Sequence, residues 1–251
     1  MHFILNIMSV KMKRFIIFGI CWCITLISYS QNYMAEYQSE DAKCHLTFNA
    51  SAWRYDVTTY TEFKIEAKGF DASEISSPES TSFSTFNYRS LDKNYYIDEE
   101  IVPAILRGFI KGELIKPEWT ILSDSVKTIE NYTCLMAKGF VRGRDYIVWF
   151  TPDIPVSAGP WKLWGLPGLI VSAQSDDKKV NINMISLRKT ENEPVEPTVN
   201  KTVTHEEFKT LYNETIQKFS RNLRAFLSSE SAEVTNVNVS VGEHPDKSLL
   251  E

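Results

Sequence analysis

Residues 146–175, YIVWFTPDIPVSAGPWKLWGLPGLIVSAQS, contain two short apolar runs on either side of a loop rich in proline, glycine and tryptophan. The runs, at 146–150 and 169–173, are β-branched or aromatic and are bounded by turn-forming residues, so each is predicted to be a buried strand. Between them, residues 152–168 hold four prolines, three glycines and two tryptophans, a composition that excludes a helix. Connections longer than about 12 to 15 residues are uncommon and are often functional. The loop is therefore the first candidate for a functional site.

The loop also carries a specific motif. Residues 164–170 are WGLPGLI, and five further elements precede them in order: EWTI at 118–121, YTCLMA at 132–137, RGR at 142–144, WFTPDIP at 149–155 and GPW at 159–161. In these elements the chain resembles the GLPGLI family of exported bacterial proteins. It departs from the family pattern at Met136, where the family has a lysine. The resemblance implies an exported protein, but that family has no established biochemical function, so it implies no activity.

The amino terminus has the pattern of a secretory signal. A basic segment, KMKR at 11–14, precedes an apolar stretch at 15–27 that ends in small and polar residues. The stretch is shorter than the roughly 20 residues that a membrane-spanning helix needs. We therefore predict a signal peptide over residues 1–30, with Met12 as an alternative start, and one mature β-rich domain over residues 31–251. The expected location is the periplasm or the outer envelope, with no transmembrane segment after signal removal.

The charge and the cysteine content of the mature chain limit its partners and its chemistry. Removing the signal takes away three basic and no acidic residues, so the formal net charge changes from −5 to −8. An acidic chain without clustered lysine and arginine argues against nucleic acid and anionic lipid as partners. Two cysteines remain, Cys44 and Cys134. They could pair in an oxidising compartment or stay free.

The pattern of apolar runs predicts a sheet. Short runs with turn signals between them and no helical period are typical of antiparallel neighbours. The predicted strands cover 33–37, 44–48, 60–65, 86–90, 95–102, 106–115, 120–122, 132–141, 146–150, 169–173, 180–187 and 234–241, and a Ser-rich surface loop is expected at 73–84.

One helix is predicted after these strands, over residues 204–228. Thr204 and Glu207 have the spacing of a capping box. Apolar residues from Phe208 to Leu227 then recur at helical intervals and form a stripe that should cover another surface. The predicted fold is therefore mainly β (α+β): a curved antiparallel sheet, in its stricter form a half-barrel, with one C-terminal amphipathic helix packed on it.

The sequence shows little that would support catalysis. It has no nucleophile elbow, phosphate loop or zinc motif, so we predict no catalytic residue, no metal and no cofactor. His205 and His244 are expected to be solvated, and His45 should point away from its neighbour Cys44, because adjacent strand residues face opposite sides. One catalytic alternative stays open, a carboxylate pair near the loop. Its candidates are Asp153, Glu99, Glu100 and Glu113.

Binding by the loop is the preferred hypothesis. Its rigid apolar surface with a few polar groups is typical of a ligand site. The candidate ligand-binding residues are Asp153, Pro155, Gly159, Trp161, Lys162, Trp164, Gly165, Pro167 and Gly168. In the alternative interpretation both tryptophans fill the end of the sheet; a binding loop should instead bury one and leave the other partly open.

We expect a non-catalytic binding module for a peptide, an apolar small molecule or an envelope partner. Two further functions remain as alternatives: a hydrolytic enzyme that uses carboxylates near the loop, and a structural factor in envelope assembly.

Overall fold

A computed structural model describes residues 31–39, 42–61, 64–68, 81–102, 106–230 and 236–240 of the protein. Residues Asn32–Glu251 form one compact unit. The predicted signal peptide, its start at Met12 and His244 lie outside the described residues. No helix in the described part of the chain is both long enough and apolar enough to cross a membrane.

Strands dominate the described residues. They are β1 (Asn32–Ser39), β2 (Ala42–Phe48), β3 (Ala52–Thr61), β4 (Lys64–Lys68), β5 (Thr81–Ser90), β6 (Tyr95–Val102), β7 (Leu106–Glu113), β8 (Thr120–Ile129), β9 (Tyr132–Val141), β10 (Arg144–Thr151), β11 (Leu169–Ser175), β12 (Asn181–Thr190) and β13 (Asn236–Ser240). One helix, α1 (His205–Glu230), lies between β12 and β13.

Eleven of these strands form one antiparallel sheet in the order β7-β6-β5-β3-β2-β1-β12-β11-β10-β9-β8, and β4 pairs with β13 separately. The sheet is open, since β7 and β8 are its two edges. The prediction of a mainly β fold with antiparallel neighbours and one C-terminal helix is confirmed.

The connection between the two edge strands requires the sheet to curve. Residues 114–119 lead directly from β7 to β8, and a connection of that length reaches at most about 24 Å. Eleven strands laid flat would span about 48 Å from edge to edge. One side-chain contact shows the same approach, because the Arg142 guanidinium at the end of β9 lies 5.5 Å from the centre of the Tyr96 ring on β6.

The largest apolar cluster lies on the central strands, where alternate residues are buried. In β2 the pattern places Cys44, Leu46 and Phe48 inside and His45 outside, as predicted for Cys44 and His45. The strands β10 and β11 add Val148, Phe150 and Ile170, among others, to the same cluster. This core supports the loop that joins β10 to β11.

One strand prediction and one loop prediction need correction. The run predicted at 60–65 spans the end of β3 and the start of β4, with residues 62–63 outside the described part, and the greater length of β3 was not predicted. Its sequence, AWRYDVTTYT, mixes polar residues into both faces, which weakens the alternation on which the prediction depends. Of the predicted Ser-rich loop, residues 81–84 belong to β5 and the rest is outside the described residues.

The helix begins as predicted. The backbone N–H of Glu207 donates to Thr204 Oγ1 at 3.2 Å, and the N–H of Thr204 donates to Glu207 Oε2 at 2.7 Å, which completes a capping box. The first half of the stripe, with Phe208 and Tyr212, packs on residues of β6 and β7 such as Ile110. Farther along, Phe226 is exposed, so the described sheet covers the stripe only in part.

Candidate functional site

The loop at 152–168 is folded onto the core. Its backbone is tied to itself and to β11, with the N–H of Ile170 donating to the Ala158 carbonyl at 3.0 Å and the N–H of Leu169 to the Ile154 carbonyl at 3.1 Å. The loop also buries Leu163. Seventeen residues without regular structure are therefore held in one conformation by backbone hydrogen bonds and apolar packing.

The nine predicted site residues separate into three groups by exposure. Gly159, Trp161, Lys162, Gly165 and Gly168 are buried, Trp164 is half-buried, and Asp153, Pro155 and Pro167 are exposed. Of the nine, Lys162 and Trp164 line a pocket. The carboxylate of Asp153 instead accepts a hydrogen bond from the backbone of Thr133 at 3.3 Å.

The loop glycines are required for two different reasons. Gly165 has a φ of 97°, a conformation that L side chains rarely adopt. Gly168 does not have this φ; it approaches the backbone so closely that a Cβ would collide with the Thr151 carbonyl oxygen. Glycine is therefore required at Gly165 by the backbone conformation and at Gly168 by the close approach of the backbone of Thr151.

The two loop tryptophans differ in burial. Trp161 is 9 % exposed and packs 6.4 Å from the Tyr146 ring, whereas Trp164 is half-buried. Trp161 has a φ of 54°, which is strained for a bulky residue. The Trp164 carbonyl accepts a hydrogen bond from Trp119 Nε1 at 2.7 Å, so its backbone is fixed while part of its side chain stays open.

A buried ion pair fixes the loop to the opposite part of the sheet. Lys162 Nζ lies 2.5 Å from Glu100 Oε1 and 4.0 Å from Asp98 Oδ2, both on β6. Asp98 also pairs with Arg89 of β5 and accepts a hydrogen bond from Asn87 at 3.0 Å. The cluster therefore holds cations and carboxylates in close contact inside the protein.

Sequence reasoning did not find this cluster as a unit. Its signal is the spacing of Asp98 and Glu100 within an apolar strand, YYIDEEIV, which puts both carboxylates on one face. A buried carboxylate requires a charged or hydrogen-bonding partner. Nothing local in the sequence identifies Lys162, 62 residues later, as that partner.

A pocket of about 480 Å³ lies beside this cluster. Its walls come from β5 and β6, the connection at 114–117, the end of β9 with its hairpin turn, the loop, and the first residue of α1. The pocket is lined by basic and aromatic side chains, among them Arg89, Tyr96, Phe140, Arg142, Lys162, Trp164 and His205. The expectation that His205 is solvated needs correction, because it is half-buried and lines the pocket.

The hairpin turn of the pocket wall has a defined geometry. Arg142 and Gly143 have φ values of 51° and 79°, as a tight two-residue turn between antiparallel strands requires. This turn joins β9 to β10. It places the Arg142 guanidinium 5.5 Å from the centre of the Tyr96 ring on β6, and both side chains line the pocket.

The acids named for a carboxylate pair are distributed over separate places. Glu99 pairs with Arg107 at 2.5 Å, Glu100 pairs with Lys162, and Glu113 lines the pocket. Asp153 lies outside the pocket lining. Among the described residues, no group of histidine, cysteine and acidic side chains could hold a metal ion.

The two cysteines are free thiols inside the core. Burial raises the pKa of the Cys44 thiol, and a hydrogen bond with Tyr55 lowers it by a smaller amount. Burial also raises the pKa of Cys134. A raised thiol pKa reduces the thiolate fraction, so neither cysteine has the environment of a reactive nucleophile.

Comparisons with known proteins agree with this fold and assign no activity. Residues 142–172, which contain the hairpin turn and the loop, match a family described as a protein of unknown function (Porph_ging). No curated protein matches the chain.

Two solved structures of PNGF-II resemble the chain. For one of them the TM-score is 0.51 at 15% identity, and the matched region covers 72% of this chain and 33% of the PNGF-II chain. For the other the TM-score is 0.46 at 17% identity, and the matched region covers 65% of this chain and 28% of the PNGF-II chain. The chain thus spans about a third of the length of these structures or less. At this identity, the first likeness concerns the fold alone.

Proposed function

We propose that the protein is an exported, non-catalytic binding module of the cell envelope, related to the GLPGLI proteins, and that the pocket beside the loop is its binding site. The observation that carries the proposal is the pocket of about 480 Å³, whose wall includes the fixed Trp- and Lys-containing loop. Small-molecule sites typically have volumes of about 300 to 1,000 Å³ and combine aromatic surface with a few polar groups. The pocket has the size and the lining of such a site.

Rigidity of the walls supports binding. The loop is fixed by the Lys162–Glu100 ion pair on one side and by the hydrogen bond from Trp119 to Trp164 on the other. A wall held in one conformation loses little freedom when a ligand binds, which favours affinity. The strained backbone of Trp161 fits the same interpretation, since strain persists where surrounding contacts maintain a functional geometry.

The pairing of the buried charges favours binding over hydrolysis. Hydrolysis by a carboxylate pair needs one acid and one base directed at the same bond. Here Asp98 and Glu100 are in contact with Arg89 and Lys162, and the cationic members of these pairs line the pocket. A half-barrel curvature of the sheet, which would bring both edges around the pocket, belongs to the same proposal.

Export is the second part of the proposal and follows from the signal pattern at residues 1–30. It is tested by sequencing the amino terminus of the protein recovered from the periplasm or culture medium. We expect Gln31 to be the first residue. Recovery of a chain that still contains residues upstream of Cys21 would contradict it.

Binding is tested with the mature chain, residues 31–251, and a library of small acids, neutral compounds, amines and short peptides in a thermal-shift assay. The variant is Trp164→Ala, which removes an open part of the wall, and the control is Ile185→Ala, an exposed residue of β12. Compounds that stabilise the wild type should also stabilise the control and should lose their effect on the Trp164 variant. A compound that stabilises both variants equally would show that it binds elsewhere. A compound that the protein converts chemically would support the hydrolytic-enzyme alternative instead.

A further inference from the structure

We propose that the ligand of this pocket is a zwitterion with an apolar body, and that Glu113 binds its ammonium group and Lys116 its carboxylate. A free apolar amino acid or a short apolar peptide has this chemistry. The inference rests on the proposed function, because it names the class of ligand for the same site. Three features carry it: two opposite charges on one segment of the wall, the packing that holds this segment, and the apolar side chains beside it.

Glu113 and Lys116 differ from the other acidic and basic side chains of the lining. Those others already interact with groups of the protein, and they are Arg89, Arg142, Lys162 and His205. Within the part of the chain that the structure describes, neither Glu113 nor Lys116 makes a side-chain hydrogen bond or an ion pair, although both line the pocket. Their charges are therefore available to a ligand.

These two charges have opposite signs and lie close together along the chain. Glu113 is the last residue of β7, and Lys116 follows in the connection to β8. Their Cα atoms are three residues apart, which separates them by at most about 11 Å. A ligand with a single charge would leave one of the two side chains unpaired and would face a like charge. A zwitterion can pair with both.

The protein holds both side chains in place. Glu113 lies opposite Tyr95 in the pairing of β6 with β7. At Gly165 in the loop, an added Cβ would lie 3.2 Å from Lys116 Cγ and 3.2 Å from Pro117 Cδ, so the lysine stem passes directly beside the glycine. Lys116 is nevertheless exposed. A lysine with a packed stem and a solvated end keeps its ammonium group accessible.

The side chains beside these charges are apolar. Ile115, between them in sequence, is 86% exposed, and Phe140 of β9 is 64% exposed; both belong to the lining. Large apolar side chains that are exposed together mark a surface that is covered when a ligand binds. The half-buried Trp164 adds aromatic surface from the loop. The apolar body of the ligand would therefore lie along these three side chains.

The test is a calorimetric titration of the mature chain, residues 31–251, with four probes. Phenylalanine has both charged groups, 3-phenylpropanoate has only the carboxylate, and 2-phenylethylamine has only the ammonium group. These three probes have the same apolar body, so differences in their affinity report on the charged groups. The fourth probe, alanyl-phenylalanine, has both charges at a greater separation and represents a short peptide.

Phenylalanine or the dipeptide should bind about tenfold more tightly than either singly charged probe, because each of these lacks one hydrogen bond between charged groups. Glu113→Gln should weaken the binding of phenylalanine and 2-phenylethylamine but not that of 3-phenylpropanoate. Lys116→Gln should weaken the binding of phenylalanine and 3-phenylpropanoate but not that of 2-phenylethylamine. A general loss of structure would not produce these two opposite patterns.

Two control variants remove charges outside the pocket. Lys189→Gln on β12 and Glu193→Gln in the segment that follows it change exposed residues that do not line the pocket. Each alters the net charge of the protein by the same amount as its counterpart in the pocket. Both controls should leave all four affinities unchanged.

Each outcome decides between the claims. Tighter binding of phenylalanine identifies a free amino acid, and tighter binding of the dipeptide identifies a short peptide. Equal affinity for the doubly and singly charged probes would overturn the inference while leaving the pocket as a binding site. A preference for the zwitterion that survives in both variants, or a loss common to all probes, would overturn the assignment to Glu113 and Lys116.

Absence of binding by all four probes would overturn the inference but not the proposed function. The proposed function is decided separately by the thermal-shift comparison of Trp164→Ala with Ile185→Ala.

Discussion

Replacing Lys162 with methionine should destabilise the fold by about 3 to 5 kcal/mol, the cost of breaking a buried ion pair by removing one partner. The Lys162 and Glu100 side chains are 2% and 8% exposed, and their charged atoms lie 2.5 Å apart. Methionine retains much of the lysine stem, so little of the loss would come from an empty cavity. The loss would come from the broken ion pair with Glu100, whereas Asp98 would keep its ion pair with Arg89.

A second substitution separates charge from packing. In the double variant Lys162→Met with Glu100→Gln, neither member of the pair is charged, and most of the lost stability should return. The resulting coupling energy should reach about 2 kcal/mol, within the range found for residues in direct contact. A surface pair provides the control: Lys93 is 62% exposed and lies 3.6 Å from Glu196, so Lys93→Met should cost less than about 1 kcal/mol.

Urea unfolding of the mature chain at pH 7, followed by tryptophan fluorescence, measures these free energies. The reasoning would be refuted if Lys162→Met stayed within about 0.5 kcal/mol of the wild type, as surface substitutions do. It would also fail if the double variant were no more stable than Lys162→Met, because the loss would then not come from an unpaired charge.

Three further predictions concern the loop and the helix. Trp161→Ala should lower the free energy of unfolding by about 3 to 5 kcal/mol, as for other buried aromatics. Trp164→Ala should lower it by less than half as much and should abolish ligand binding. Equal losses of stability in urea unfolding would show that the loop only fills the end of the sheet. Gly168→Ala should cost about 1 to 3 kcal/mol because its Cβ meets backbone, and an unchanged unfolding midpoint would contradict that close approach. Hydrogen bonds from Thr204 lower the pKa of Glu207 in the folded protein. The stability that Glu207 contributes is therefore fully present above the ordinary glutamate pKa, and it is lost as the pH falls through the lowered pKa. The stability difference between wild type and Glu207→Gln should therefore narrow in acid, and a constant difference would exclude this linkage.

Local signals in the sequence were sufficient for most of the elements. The bounds of β6 and β9 agree with the predicted runs because both strands are continuous and end at turn residues. The helix start was predictable because Thr204 and Glu207 form a capping box within four residues of sequence. Such interactions depend on neighbours along the chain, which the sequence displays directly.

The pocket depends on contacts between distant residues, and these were not predictable. Arg142 meets Tyr96 only because the sheet curves, and the curvature follows from the strand order and the short connection between its edges. The buried ion pair of Lys162 was likewise not predictable, because its partner Glu100 lies on a distant strand, β6. The sequence indicated the loop as a candidate region, but it did not indicate the residues that face the loop across the pocket.

The most direct test of the central claim, that the pocket beside the loop is the binding site, is an NMR titration of the isotope-labelled mature chain with a compound that stabilises it in the thermal-shift assay. We predict that the largest backbone amide shifts occur at residues 114–116, 140–143 and 162–165, the three segments that contribute most of the pocket lining. Saturating shifts centred on β12, or uniform small shifts without saturation, would contradict it.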